Sequence, residues 1–275
     1  MTLFAMRTHQ ISFPGLGIGE FTVNSVAFSV FGFDIAWYAL IITCGMVACV
    51  AYVSWRAKKR DVSYDHILDL AIFTILFGVL GARLYYIATE WQRIGIDSFF
   101  DAINIRDGGL AIYGGIIAGG ATVFLVCKFK KLHFRSMADM IYPGVMLAQA
   151  IGRWGNFMNA EAYGNETTLP WRMGINGTYY HPTFLYECIW NLIGFTLINV
   201  FFHKKKYDGQ LYYFGAAWYG FGRMFIEMLR TDSMMIGDTR TNLVLGAAAF
   251  VIFTTLLIYN AIKKTNTLRK DIKLT

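Results

Sequence analysis

Long, almost uninterrupted runs of apolar residues alternate with short charged segments along most of this chain. Seven such runs cover approximately residues 35–54, 67–89, 110–127, 137–156, 184–202, 210–228 and 241–262. Each is close to the ~20 residues that a helix needs to cross a hydrocarbon core of roughly 30 Å. The pattern therefore predicts an all-α integral membrane protein with seven transmembrane helices.

The distribution of basic residues predicts how these helices are oriented. Sixteen of the 25 Lys and Arg residues lie in four polar segments, which are residues 55–66, 128–136, 203–209 and 263–275. With seven helices, all four segments fall on one side of the membrane, and basic loops are retained in the cytoplasm. We therefore expect the N-terminus outside and the C-terminus in the cytoplasm.

Composition agrees with this topology and narrows the possible partners. Of the 275 residues, 56% are hydrophobic and only 16% are charged, as is typical of proteins embedded in lipid. The net charge of +7 follows from the predicted cytoplasmic loops, where basic side chains meet the anionic head groups of membrane lipids. The charge therefore requires no nucleic-acid partner.

The apolar runs and the segments around them divide the chain into three parts. Residues 1–34 mix apolar side chains with glycine and a few polar residues, and we expect an extracytoplasmic interfacial helix or strand pair. Residues 35–262 form the membrane domain, in which the polar insertion at about 157–183 predicts a small extracytoplasmic head. Residues 263–275 form a basic cytoplasmic tail.

Cysteine and histidine do not form a recognisable metal site in this sequence. The four cysteines lie within or at the ends of apolar runs and include no Cys-x-x-Cys pair, so we expect small buried apolar residues. The five histidines are scattered, which argues against a zinc site. We therefore expect no metal and no other cofactor.

Three arginines inside the predicted membrane helices are the strongest indication of function. Arg83, Arg153 and Arg223 each follow a glycine within two residues, and inserting one such charge costs ~2.5–3.5 kcal/mol. A guanidinium suits phosphate, because its planar fork offers paired donors and stays charged when buried. The alternative is that these arginines reach the interface or pair with acids inside the protein.

Helical spacing places a polar partner beside two of these arginines. Arg153 and Asn156 are three residues apart, so they share a helix face. Arg223 and Glu227 are four residues apart, which predicts an ion pair within one helix that fixes the guanidinium.

Further polar residues flank the predicted extracytoplasmic helix ends. Asn159 and Glu161 follow Arg153 where the helix is expected to end. The His-Pro-Thr sequence that begins at His181 predicts either an anion site at a helix N-terminus or a simple helix start. Glycines in residues 108–120 indicate close helix packing. Together these features predict an outward-facing site for an anionic phospholipid.

Five motifs occur along the chain in the order GARLYYI, GGLAIYGG, GRWGNFMNAEAYG, HPTFLYE and YGFGRMFIE. They resemble segments of the phosphatidylglycerol:prolipoprotein diacylglyceryl transferases, and the likeness extends over about residues 37–230. It implies seven helices in the bacterial cytoplasmic (inner) membrane, with the active site on the extracytoplasmic side. It also implies transfer of a diacylglyceryl group from phosphatidylglycerol to the lipobox cysteine of signal-peptide-bearing preprolipoproteins, which leaves a thioether and glycerol 1-phosphate.

The resemblance further implies roles for individual residues. Arg153 and Arg223 match essential arginines of the family, and we assign them to the donor phosphate and to the charge on the leaving group. Glu161 is expected to act with them, while Glu227 would hold Arg223. The expected substrate-binding residues are Tyr38, Arg83, Asn156, Asn159, His181, Tyr219 and Glu227.

One position departs from the family pattern. Many members have a histidine, often proposed as the base for the thiol, where the motif GGLAIYGG has Tyr113. A free thiol has a pKa of about 8.5 and tyrosine of about 10, so Tyr113 would act as the base only beside arginines that lowered its pKa. The hypothesis is that the arginines favour the thiolate directly and that Tyr113 positions the thiol or relays its proton.

Three other functions use the same residue types. A lipid or anion transporter would conduct through the arginines, although the chain has no internal repeat. A membrane scaffold would use arginine and asparagine for packing. A different phosphatidylglycerol-dependent transferase would keep the lipid site and change the acceptor.

Overall fold

The computed structural model describes residues 8–60, 62–94, 108–237 and 239–263, and seven long helices make up most of this part of the chain. They are α1 (Trp37–Lys58), α2 (Tyr64–Ile94), α3 (Ile112–Phe129), α4 (Phe134–Met158), α5 (Thr183–Phe201), α6 (Gln210–Leu229) and α7 (Thr241–Lys263). One helix covers each apolar run, with ends that differ by a few residues. The predicted basic tail lies, except for its first residue, outside the described residues.

Five of these helices, among the residues described, are long and apolar enough to cross a membrane, namely α1, α2, α3, α5 and α7. Helices α4 and α6 are less apolar because they carry polar and charged side chains along their length, among them Asp139, Arg153, Arg223 and Glu227. The fold is therefore mostly helical with five candidate membrane-spanning helices. A crossing by all seven helices, in the predicted orientation, stays a prediction.

Short strands occupy the segments that the sequence assigned to the surface. They are β1 (Thr8–Phe13), β2 (Ile18–Asn24), β3 (Val26–Val30), β4 (Phe33–Ala36), β5 (Met173–Ile175), β6 (Thr178–Tyr180), β7 (Met235–Ile236) and β8 (Thr239–Arg240). The N-terminal segment thus follows the strand-pair alternative. The fold remains mostly helical, in agreement with the predicted all-α membrane protein, and the short strands are additions at which glycines at positive φ, such as Gly17 (73°) and Gly177 (90°), let the chain reverse.

The N-terminal segment and the head insertion build one antiparallel sheet in the order β2-β1-β5-β6. Its buried core consists of Ile11, Val23, Met173, Ile175 and Phe184. Side chains at the end of α4, including Phe157 and Met158, pack against this core. The sheet is therefore fixed to the end of α4 and the start of α5, where the candidate site residues lie.

The described residues divide into two compact units, one within residues 8–52 and 139–263 and the other within residues 53–138. In the second unit, α2 and α3 approach each other through glycines. A Cβ atom at Gly114 would collide with the main chain of Gly81. The glycine-rich motif around Gly114 therefore serves close helix packing, as in many membrane helix pairs.

In the first unit, a buried ionic group ties the start of α4 to the loop before α6. The Lys205 Nζ lies 2.8 Å from Asp139 Oδ2 and 2.8 Å from Asp208 Oδ1. Asp139 also accepts hydrogen bonds of 2.9 Å from the main-chain amides of Gly209 and Tyr212. We call Lys205, Asp139 and Asp208 the Lys205 network.

Candidate functional site

A buried carboxylate, Glu187, is the centre of the polar residues near the head. It lies on the second turn of α5 and is 3% exposed. Its Oε1 accepts hydrogen bonds from Arg223 Nη1 at 2.7 Å and from Arg230 Nη1 at 3.2 Å. Its Oε2 forms an ion pair with Arg153 Nη2. Three guanidinium groups thus converge on one carboxylate, and we call these residues, together with Glu227, the Glu187 cluster.

The second buried carboxylate of the cluster, Glu227, also binds Arg223. Arg223 Nη2 and Glu227 Oε2 lie 2.5 Å apart, which is the ion pair that their spacing predicts. Asn242 Nδ2 donates to Glu227 Oε1 at 3.0 Å. Arg240 Nη1 donates to the main-chain oxygens of Glu227 at 2.5 Å and Arg230 at 3.0 Å. Residues around the start of α7 thus add side-chain donors to the C-terminal end of α6, where main-chain oxygens need partners from outside the regular helix.

The turn after α4 brings Glu161 back to the helix. Helix α4 ends at Met158, and Ala160 (φ 48°) and Ala162 (φ 57°) adopt left-handed conformations on either side of Glu161. Such conformations are uncommon for residues other than glycine. The reversal lets the main-chain amide of Glu161 donate to the Asn156 carbonyl at 3.0 Å.

The side chain of Asn156 connects Arg153 to Glu161. Arg153 Nη1 donates to Asn156 Oδ1 at 3.3 Å, and Asn156 Nδ2 donates to Glu161 Oε1 at 2.9 Å. Asn159 Nδ2 lies 3.4 Å from the same Glu161 oxygen. The four polar residues predicted around the end of α4 therefore come together in one hydrogen-bonded group.

The buried part of the Glu187 cluster has more positive than negative groups. Two buried carboxylates face three guanidinium groups, and a third acid, the exposed Asp232, pairs with one of them: Arg230 Nε lies 2.9 Å from Asp232 Oδ1 and Arg230 Nη2 lies 2.6 Å from Asp232 Oδ2. Glu161, also exposed, accepts from Asn156. Burial acts to lower the pKa of Arg230, but Asp232 and the neighbouring carboxylates raise it by more, so this group stays charged. The Arg153 and Arg223 side chains are 20% and 11% exposed. An anion can therefore reach donors that are already fixed in place.

An apolar groove adjoins the cluster. It has a volume of about 300 Å³ and is lined by side chains of α1, α4 and α5, among them Trp37, Leu40, Ile151, Trp154 and Cys188. Cys188, which lines the groove and follows Glu187 on α5, interacts electrostatically with Arg153 of the cluster. The arrangement offers an apolar wall and cationic donors next to each other.

The predicted contact Tyr38 lies at this site, in the first turn of α1. A Cβ atom at Gly155 would stand 2.9 Å from Tyr38 Cδ2, so glycine at this position of α4 makes room for the tyrosine ring. The phenol of Tyr38 also interacts electrostatically with Glu161 and Arg153.

Two other predicted substrate contacts, His181 and Tyr219, have aromatic neighbours. His181 Nδ1 lies 3.2 Å from Tyr186 Oη, and burial lowers the pKa of this histidine, which favours its neutral form. Tyr219 lies one helical turn before Arg223 on the same face of α6. The contacts described for these side chains do not by themselves place them on a substrate.

Arg83 and Tyr113 belong to the second unit. Arg83 is 8% exposed, and its Nη1 donates to the main-chain oxygens of Gly108 at 3.0 Å and Gly109 at 3.1 Å. Tyr113 lies in the first turn of α3, with its ring centroid 6.5 Å from that of Tyr85. Arg83 thus holds the main chain before α3, and the predicted roles of both residues toward substrate stay predictions.

Four residues of the site were missed by the sequence analysis, namely Glu187, Arg230, Arg240 and Asn242. Glu187 had a usable signal, because it is an acid inside an apolar run and ends the motif HPTFLYE. In the sequence, Arg230 and Arg240 are recognisable only as charged residues of a loop. They are so far along the chain from Arg153 that no helical or strand spacing could predict a contact with it.

The described residues were also compared with the ligand groups that hold metal ions in proteins. Within the described ranges, no group of three or more His, Cys, Asp or Glu side chains is placed to hold a metal ion. The side chains of the Glu187 cluster supply guanidinium and carboxylate groups, and the neighbouring Asn156 and Asn242 supply amides.

Comparison with known proteins finds similar chains over most of the length. The profile of the family described as prolipoprotein diacylglyceryl transferase matches residues 25–259. The phosphatidylglycerol–prolipoprotein diacylglyceryl transferase of Finegoldia magna is 44% identical over 230 residues, which cover 83% of this chain and 92% of the relative. The Clostridioides difficile protein of that name is 43% identical over 218 residues, 79% of this chain and 88% of the relative. A Clostridium perfringens relative, transferase 1, is 41% identical over 249 residues, 84% of this chain and 94% of the relative.

Proposed function

The chain belongs to the prolipoprotein diacylglyceryl transferase family, and we propose that it transfers the diacylglyceryl group of phosphatidylglycerol to the lipobox cysteine of preprolipoproteins. The observation that carries this proposal is the Glu187 cluster beside an apolar groove. A phospholipid is complementary to both features, since its anionic phosphodiester suits the guanidinium groups and its apolar acyl chains suit the groove. The nucleophile arrives on the second substrate, so the enzyme has to supply charge stabilisation and orientation.

The reaction forms one bond and breaks one. The cysteine sulfur forms a thioether bond to the terminal glyceryl carbon of the diacylglyceryl group, while the bond from that carbon to the phosphate oxygen breaks. The bonding electrons leave with the phosphate as glycerol 1-phosphate, so negative charge grows on the phosphate and the thiol loses its proton. Cationic donors near the phosphate therefore stabilise the transition state more than the ground state.

Arg153 and Arg223 are the residues we assign to this charge. Each is held by a buried carboxylate, and each keeps part of its side chain exposed. Because these donors are fixed before the reaction, little free energy is needed to reorient them as charge develops, which is the basis of electrostatic catalysis. Glu187 and Glu227 therefore act as positioning residues for the two arginines.

The remaining predicted residues are proposed to surround the head group. Asn156, Asn159 and Glu161 form a hydrogen-bonded edge next to Arg153, suited to the hydroxyls of glycerol. Tyr38 would contact the same part of the lipid. We extend the proposal to Arg83, His181 and Tyr219 as further substrate contacts.

Tyr113 is proposed to position the thiol or relay its proton. A phenol can donate and accept a hydrogen bond, and no charge on Tyr113 is required if the arginine field stabilises the thiolate. Full turnover by Tyr113→Phe would exclude the relay, whereas a reduced kcat with an unchanged KM for lipid would support it.

We propose that all seven helices cross a bacterial cytoplasmic membrane, with the N-terminus and the Glu187 cluster outside and the C-terminus inside. The cluster and the β2-β1-β5-β6 sheet lie at one end of α4, α5 and α6, while the basic segments 128–136 and 203–209 lie at the other end. This separation supports the orientation, because basic loops stay in the cytoplasm and meet anionic lipid there rather than nucleic acid.

The transferase is tested with purified protein in vesicles that contain phosphatidylglycerol labelled in its acyl chains. A lipobox peptide should gain the label, and its Cys→Ser version should not. A lipid transporter would move the label across the bilayer and leave the peptide unmodified. Another phosphatidylglycerol-dependent transferase would leave the peptide unmodified and pass the labelled group to a different acceptor, such as a second lipid of the vesicle. Either result would contradict the proposal.

A further inference from the structure

Strands β3 and β4 form a two-stranded hairpin separate from the main sheet. Phe28 pairs with Ile35 and Val30 pairs with Phe33. The turn consists of Phe31 and Gly32, both at positive φ (49° and 82°). Two consecutive residues at positive φ are characteristic of the tight type I′ turn that suits the twist of a hairpin.

The hairpin has one apolar face and one polar face. Residues paired across strands point to the same side, so Phe28 and Val30 share a face with their partners, and both are exposed (50% and 42%). On the opposite face, Ser29 Oγ donates to Asp34 Oδ1 at 2.5 Å. At the tip, Phe31 is 98% exposed. Asp34 is the one ionisable residue in residues 26–36.

This apolar surface is attached directly to a membrane helix. Strand β4 ends at Ala36, and the apolar helix α1 begins at Trp37, with no residue between them. Trp37 also lines the apolar groove beside the Glu187 cluster. A two-stranded hairpin is only marginally stable alone in water, whereas an apolar face at the boundary of head groups and acyl chains is covered by lipid.

We propose that the β3–β4 hairpin inserts Phe31 and its apolar face into the leaflet at the entrance of the apolar groove. Its partner is phospholipid, at the depth where the glycerol backbone meets the acyl chains. The hairpin would hold this side of the groove at the level from which a lipid enters. The inference goes beyond the proposed transferase function, since it concerns lipid contact and not the reaction.

The direct test replaces Phe31 by photoreactive benzoylphenylalanine in the full chain, reconstituted in vesicles that contain radiolabelled phosphatidylglycerol. Irradiation should yield a lipid adduct severalfold more often than the same amino acid at Thr22, an exposed position of β2 in the head. Equal lipid yields at both positions, or adducts only with a second copy or with added lipobox peptide, would overturn the proposal. The yield of lipid adduct does not depend on transferase activity, so this experiment tests the inference separately from the proposed function.

A second measurement tests the consequence for lipid entry. Phe31→Ser should raise the KM for phosphatidylglycerol in vesicles severalfold and leave kcat unchanged. The matched control Leu16→Ser removes an exposed apolar side chain from the turn between β1 and β2 and should change neither constant. An unchanged KM in Phe31→Ser would remove the role in lipid entry.

Discussion

Helices α4 and α6 bring together a buried ionic group at each of their ends, and the two groups have opposite compositions. The Lys205 network has one cation and two carboxylates, and none of these side chains is more than 6% exposed. The Glu187 cluster has three guanidinium groups and two carboxylates, and its Arg153 is 20% exposed. On α4, Asp139 and Arg153 are separated by about 21 Å at 1.5 Å per residue.

This difference in charge and exposure indicates that the Lys205 network stabilises the fold, whereas the Glu187 cluster binds a ligand. In the Lys205 network the excess negative charge is balanced by main-chain amides at the start of α6, where a helix favours an anion. The Lys205 ammonium and the Asp139 carboxylate are therefore paired and hydrogen-bonded within the protein. In the Glu187 cluster the third acid, Asp232, is exposed and is bound to Arg230, while the side chains of Arg153 and Arg223 keep 20% and 11% of their surface exposed. An anion can therefore reach these two guanidinium groups, and the exposure of the cations, and not burial alone, indicates function.

Loss of a cluster arginine should have the largest effect on the reaction. We expect Arg153→Ala and Arg223→Ala each to reduce kcat by about 10²–10³-fold, the usual cost of removing a fixed donor to a developing charge. Thermal unfolding in detergent should show a folded protein. Arg172→Ala, which removes an arginine of the head outside the cluster, should keep activity, and retained activity in both cluster variants would exclude this site.

Loss of Lys205 should instead affect stability. Lys205→Met leaves Asp139 and Asp208 buried without their cation, and breaking a buried ion pair costs ~3–5 kcal/mol. We expect a lower unfolding temperature in detergent and an unchanged kcat for the fraction that remains folded. The exposed neighbour serves as the control, since Lys204→Met should leave the unfolding temperature as it is. Equal stability of Lys205→Met would contradict a structural role.

Neutralising the central carboxylate should weaken catalysis without abolishing it. Glu187→Gln keeps the size of the side chain but removes the charge that holds three guanidinium groups. We expect kcat to fall on the order of tenfold, the lower end of what orienting partners contribute in metal sites. If Glu187→Gln lost as much activity as Arg153→Ala, the carboxylate would have a direct role in the reaction.

The smallest effect is expected from Arg240, which supports the cluster from the end of β8 just before α7. Arg240→Gln removes hydrogen bonds to the main-chain oxygens of Glu227 and Arg230. We expect kcat to fall only about threefold to tenfold, because Arg240 acts through the position of the cluster and only part of the ~1.5–3 kcal/mol of a charged hydrogen bond reaches the transition state. Arg240→Lys should restore part of the loss. A raised KM with normal kcat would place Arg240 on the substrate instead.

Helix positions and local pairs could be predicted from this sequence, because both follow from short-range spacing. The run at 137–156 predicted α4, which the structure extends to Phe134–Met158, and the four-residue spacing of Arg223 and Glu227 predicted their ion pair. Glu187 could not be placed in the same way, since its partners Arg223 and Arg230 are 36 and 43 residues away along the chain. Only the packing of α5 against α6 brings them together.

The sheet was harder to predict than the helices. Strands β5 and β6 have three residues each, which is too short for an alternating pattern to stand out. The turn around Glu161 depends on two alanines at positive φ, a conformation for which alanine has no preference. These features depend on tertiary contacts that no window of sequence contains.

The order of the strands in the sheet also determines when the head can be completed during protein synthesis. Strand β1 ends at Phe13 and its partner β5 begins at Met173, about 160 residues later. At a synthesis rate of about 5–20 residues per second, the first hairpin waits on the order of ten seconds for the strand that completes its sheet. Helices α1 to α4 are made in that interval, so a ribosome that stalls before Met173 leaves four helices in place and no finished head.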